Sequence, residues 1–92
     1  MMLDIVLSNR FRKDLKLLAK RGCNLEKLNR IVDRIAAGEK LEQKHRVHEL
    51  VGNYAGFMEC HIEPDWLLIY RIDGNNQILF LSRTGTHSDL FD

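Results

Sequence analysis

Phe57-Met58-Glu59-Cys60-His61-Ile62-Glu63-Pro64-Asp65-Trp66-Leu67-Leu68-Ile69-Tyr70 is the stretch whose reading decides the fold. Its first six residues alternate. Met58, Cys60 and Ile62 fall on one side of an extended chain, and Phe57, Glu59 and His61 on the other. Glu63-Pro64-Asp65 makes a turn, because proline fixes its own φ. Trp66 to Ile72 is a near-continuous apolar run, as expected for a central strand. Asp73-Gly74-Asn75-Asn76 is a strong hairpin signal, and Gln77 to Arg83 supplies a third strand. Thr84-Gly85-Thr86 then turns the chain into a short tail.

Upstream, Leu3 to Leu7 reads as a short strand. Ser8 is a good N-cap. Phe11, Leu15 and Leu18 follow at the spacing of one helix face, and Gly22 ends that helix. Asn24 caps a second helix with Leu25, Leu28, Ile31, Val32 and Ile35 inward, and Gly38 is its natural stop. So short a link makes the two helices an antiparallel hairpin. Glu39 to Gly56 reads as loop, with His45 facing solvent. The expected order is β-α-α-β-β-β. The expected class is α+β, one domain over residues 1–92, with the helical hairpin packed on one face of a mainly antiparallel sheet.

The net charge of +1 hides an asymmetry. Residues 1–46 hold 12 of the 14 Lys and Arg and 6 of the 13 acids, a net of +6; residues 47–92 hold 2 and 7, a net of −5. Solvated helix faces would account for this. A cationic face for nucleic-acid phosphates, including Lys13, Lys16 and Lys20, would also account for it. No apolar run approaches the roughly 20 residues that span a bilayer. The start lacks a basic region ahead of an apolar one, so no signal peptide is expected and the location is cytoplasmic. Cys23 and Cys60 make no CxxC pair and are expected as free thiols.

Three of the four histidines lie in the second half, and His45 stands just ahead of it. Alternation puts Glu59 and His61 on one strand face, and Asp65 can return toward His61 across the proline turn. Arg83 ends the third strand of the run, and His87 follows past Gly85. Such a set suits cleavage of RNA by its own 2′-hydroxyl. A base takes the 2′-OH proton, the oxygen attacks phosphorus, an acid protonates the departing 5′-oxygen, and a guanidinium stabilises the phosphorane. Neutral and protonated imidazoles can fill the proton-transfer roles near pH 7. The chemistry needs no cofactor or metal. A zinc site can be drawn from His48, His61, Asp65 and His87, but the spacings match no compact metal motif. Phe91 either caps the core or stacks on a base.

Several stretches together resemble the RelE/YafQ superfamily of bacterial type II toxins, and the YafQ branch most closely. They are Ser8 to Asp14, His48-Glu49-Leu50, Cys60 to Tyr70, and Arg83-Thr84-Gly85-Thr86-His87-Ser88-Asp89-Leu90-Phe91. The resemblance implies a RelE-like fold. It also implies an mRNA interferase that cuts messenger RNA in the ribosomal A site, with a small cognate antitoxin and ribosomal RNA as partners. The family's functional positions fall on His48, His61, Asp65 and His87, with Phe91 in the tail. Glu59 stands where relatives carry another acid, and Arg83 where a phosphate-stabilising arginine is expected. On this reading His87 is the general acid. The base lies in the Asp65/His61/His48 cluster, with Asp65 acting alongside His48. The alternative is a ParE-like toxin of the same general fold that binds a protein target such as DNA gyrase; it would not need the His48/His61/Asp65/His87 set.

Overall fold

The computed structural model describes residues 2–91. The chain runs β1 (Asp4–Leu7), α1 (Asn9–Lys20), α2 (Leu25–Ala36), β2 (His48–Glu49), β3 (Met58–Glu63), β4 (Trp66–Asp73), β5 (Ile78–Gly85) and α3 (His87–Phe91). The strands form one sheet in the order β1-β5-β4-β3-β2. β1 runs parallel to β5, and every other pairing is antiparallel. The α+β arrangement of a helical hairpin on a mainly antiparallel sheet is therefore present.

The caps form as the sequence dictates. The Ser8 hydroxyl accepts from the Phe11 amide, and the Asn24 side chain accepts from the Glu26 amide. Gly22 and Gly38 take φ of +80° and +77° just past the helix ends, the left-handed conformation that glycine adopts without steric cost. Phe11 and Leu18 of α1, with Leu28, Ile31, Val32, Ile35 and Ala36 of α2, bury against Cys60, Ile62, Leu68, Tyr70, Leu79 and Leu81 of the sheet. This is the main core.

The opposite face carries a smaller cluster. Leu67, Ile69 and Leu90 are buried there, with Leu50, Tyr54 and Phe57 packed around them. β4 is thus covered on both sides, which explains its unbroken apolar run.

Three local expectations are corrected. The segment read as loop contains β2, paired to β3, and 3₁₀ turns at Gln43–His45 and Gly52–Tyr54. A two-residue strand is too short to show periodicity. The tail after Thr86 is a helical turn. It is held by reciprocal bonds, the Thr86 amide donating to Asp89 Oδ2 at 2.9 Å and the Asp89 amide to Thr86 Oγ1 at 3.1 Å. His45 is buried, 8 % exposed, because its Nδ1–H donates to the His61 carbonyl at 2.6 Å.

Candidate active site

The sheet register builds the site. His48 pairs with Glu59, Glu59 with Ile69, and Ile69 with Arg83. Residues directly opposite share a face, so these four form one row across β2, β3, β4 and β5. The next row holds His61, Leu67 and Gly85. Both rows lie on the face away from the helical hairpin, since their neighbours Cys60 and Leu68 are in the main core.

Glu59 is the hub. Its side chain is 7 % exposed, and its Oε1 stands 2.9 Å from His48 Nε2 and 3.7 Å from His61 Nε2. His61 Nδ1 lies 3.2 Å from the Pro64 carbonyl, which holds the ring against the turn. Asp65 does not return to His61. It faces the start of α3, where Oδ1 accepts from the His87 amide at 2.9 Å and from His87 Nδ1 at 2.6 Å. The amide bond, then the ring bond, draw the Asp65 pKa below its ordinary value. The Leu67–Gly85 pairing brings the start of β4 beside the start of α3, where an unpaired helix amide is free to donate, so the Asp65 carboxylate bonds there rather than back along β3. The His61 and His87 rings are 5.8 Å apart, centroid to centroid. Two carboxylate–imidazole pairs therefore meet at His61.

Arg83 is held rigidly. β1 stops at Leu7 opposite Leu81, leaving the far half of that β5 edge without a strand partner. Asp14 of α1 covers it. Its carboxylate accepts from Arg83 Nε at 2.8 Å, from Arg83 Nη2 at 3.2 Å and from the Thr84 amide at 3.1 Å. Asp14, then the opposing cost of burial, and further the Tyr54 phenol set the balance on Arg83, whose pKa is raised. Trp66 is buried, and its Nε1–H donates to Thr84 Oγ1 at 2.9 Å.

Tyr54 also meets Phe91 edge-on at 6.0 Å, with Phe91 itself 47 % exposed. Phe91 thus packs one edge on the site-face cluster and keeps ring surface in solvent. Lys13, Lys16 and Lys20 are exposed on α1, together with Arg10 and Arg12, and none of the five has an ion pair among the described residues. By contrast Arg21, Lys27, Arg30 and Arg34 all pair with acids.

Asp14, Tyr54 and the pairing of Arg21 with Asp89 escaped sequence reasoning. Asp14 and Arg83 are 69 residues apart, and no local pattern links them. Tyr54 carried one usable signal, a lone aromatic between Gly52 and Gly56. His48, Glu59 and His61 could also hold a metal ion, their ligand atoms lying within 4.8 Å of one another.

Paired acids and imidazoles thus line one face of a RelE-like sheet, and the comparisons with known proteins give the class of protein that carries them. Residues 3–92 match the family described as the bacterial toxin of type II toxin-antitoxin system, YafQ. The chain is 36 % identical over 89 residues to mRNA interferase toxin YafQ of Escherichia coli strain K12, covering 96 % of this chain and 95 % of that one. A crystal structure of a metal-bound toxin from Helicobacter pylori has 44 % identity and a TM-score of 0.92, covering 98 % of this chain and all of that one. The E. coli DinJ-YafQ toxin-antitoxin complex contains a chain 34 % identical, with a TM-score of 0.90 and full coverage of both. The class is thus a RelE/YafQ-type toxin of a type II toxin-antitoxin system. Within it, this chain belongs to the YafQ family.

Proposed function

We propose that this chain is an endoribonuclease that cuts messenger RNA in the A site of the ribosome, in the cytoplasm, and that a cognate antitoxin restrains it. The observation that carries the reading is the pair of carboxylate–imidazole couples, Glu59–His48 and Asp65–His87, set on either side of His61.

The reaction is attack by the 2′-hydroxyl on the adjacent phosphorus. The O2′–P bond forms, the P–O5′ bond breaks, and the products are a 2′,3′-cyclic phosphate and a 5′-hydroxyl. Asp65 holds Nδ1–H of His87, which fixes the tautomer and ring and leaves Nε2 to deliver a proton to the departing 5′-oxygen. Asp65 is therefore the orienting partner of the acid, and the base role passes to the Glu59–His48 couple. A buried carboxylate accepting from one imidazole can take the 2′-OH proton itself or through that ring. His61 sits between the couples and faces the phosphate, and Arg83, anchored on Asp14, stabilises the phosphorane from a fixed position. Phe91 offers a ring face to a base.

His48, Glu59 and His61 have the donor chemistry to hold a transition-metal ion, and a bound ion there would supply a Lewis acid. It would also occupy the lone pairs that proton transfer uses. The route proposed runs through the side chains alone.

The test is primer extension on a translated message with wild type, His87→Ala and Glu59→Gln. Discrete in-frame cuts that require ribosomes and vanish in both variants support the reading. Cuts on free RNA without ribosomes, or none at all from folded wild type, refute it.

A further inference from the structure

We infer that Arg21, at the end of α1 and outside the catalytic cluster, is a positioning residue for the reaction, because it clamps the helix that carries His87. The inference rests on the reading of His87 as the general acid.

α3 spans five residues, His87–Phe91, far below the dozen or so that an isolated helix needs to be marginally stable. Its placement must come from outside. Leu90 is buried, and the His87 amide is tied to Asp65, but both contacts lie at the site side of the turn. The other side is held by Arg21. Its guanidinium grips both oxygens of Asp89, Nη1 to Oδ2 at 2.7 Å and Nη2 to Oδ1 at 2.9 Å. Such a two-point fork fixes orientation as well as distance. The same Asp89 Oδ2 accepts from the Thr86 amide at 2.9 Å, so one carboxylate both caps the turn and fastens it to α1. The Arg21 fork, then the Thr86 amide, hold the Asp89 carboxyl well below the usual range.

The fit is close. Gly85 has φ of +155°, and a Cβ there would stand 2.8 Å from Asp89 Oδ2. Gly85 therefore lets the β5–α3 junction bend tightly enough for Asp89 to reach Arg21. The two charged residues are 68 apart in sequence, so the clamp links the α1–α2 hairpin to the C-terminal turn. Without it, α3 keeps its cap but loses the contact that sets its angle on the sheet. His87 Nε2 would then sample positions away from the leaving oxygen, and a displacement on the order of 1 Å costs about 10²-fold in rate.

The experiment measures single-turnover cleavage of ribosome-bound message with a natural cut site and with a 5′-bridging sulfur there. Sulfur departs without needing a proton. The proteins are wild type, Arg21→Ala, Arg21→Lys, Asp89→Asn, the Arg21→Ala/Asp89→Asn double variant and His87→Ala. On the natural message Arg21→Ala should cut roughly 10- to 100-fold more slowly at saturation, with half-saturation unchanged. Arg21→Lys should fall between it and wild type. The double variant should be no slower than the worse single variant, because the two residues act as one unit. On the sulfur message Arg21→Ala, Asp89→Asn and His87→Ala should all return to near the wild-type rate. If His87→Ala recovers and Arg21→Ala does not, Arg21 acts in some other way and the inference is wrong. If His87→Ala itself fails to recover, the reading of His87 as acid is wrong and the inference goes with it. A change confined to half-saturation would make Arg21 a ribosome contact and equally overturn the proposal.

Discussion

Glu59→Gln should separate catalysis from stability. The side chain is 7 % exposed and stands 2.9 Å and 3.7 Å from two imidazole nitrogens. Glutamine keeps the shape and an oxygen able to accept from His48, but it cannot take a proton. Loss of a general base costs about 10²–10⁴-fold. At about 1.4 kcal/mol per decade this is about 3–6 kcal/mol of transition-state stabilisation. The same substitution removes a buried charge without leaving a cavity. Global stability should change by no more than about 1 kcal/mol, because the partner imidazole of His48 is half-exposed and water can take up the interaction that Glu59 gives up. The assay pairs urea unfolding with single-turnover cleavage on programmed ribosomes. Activity should collapse while the unfolding midpoint holds. A Glu59→Gln protein that cuts within tenfold of wild type would refute the assignment of the base to the Glu59–His48 couple. An equal loss of both properties would make Glu59 a structural residue.

Other outcomes follow from the same geometry. Thr84 is 1 % exposed and its hydroxyl bonds Trp66 and Leu67, so Thr84→Val should orphan the buried indole N–H and destabilise by about 1–3 kcal/mol. Thermal melting should show it as a fall of roughly 5–20 °C for a domain of this size, and an unchanged melt would contradict the buried pairing. Reversing Lys13, Lys16 and Lys20 to Glu should weaken ribosome association and flatten its salt dependence, measured by co-sedimentation across a salt series. An unaltered slope would leave those lysines as solvent-facing charges only. Micromolar zinc or copper should slow cleavage and a chelator should restore it, because the ion and the proton-transfer step compete for His48, Glu59 and His61. Acceleration by the ion would argue for metal-assisted chemistry instead.

The elements with a period were legible in the sequence. The faces led by Leu15 and Leu28, the alternation at Met58 to Ile62 and the apolar run from Trp66 all became what their spacing dictates. β2 was not legible, because two residues cannot show alternation and their pairing to β3 is set by the chain that returns later. The candidate site was half legible. The residue types that would carry proton transfer could be named, and Glu59 and His61 could be put on one face. Which acid meets which imidazole could not be read. Asp65 is two residues from the strand that carries His61, yet it caps α3, because the helix amide and His87 Nδ1 together outcompete a single contact along β3. The same holds for Asp14 and Arg83, and for Arg21 and Asp89: each pair is made by the packing of α1 on or beside β5 and α3, a relation that local sequence does not encode.

The central claim is cleavage through the 2′-hydroxyl by paired acids and imidazoles. The measurement that meets it most directly is the chemistry of the cut ends, read on a message translated with this protein. A 2′,3′-cyclic phosphate and a 5′-hydroxyl are predicted, and a single 2′-O-methyl group at the cut nucleotide should abolish that cut alone. A 5′-phosphate product, or continued cutting at the methylated nucleotide, would contradict the account.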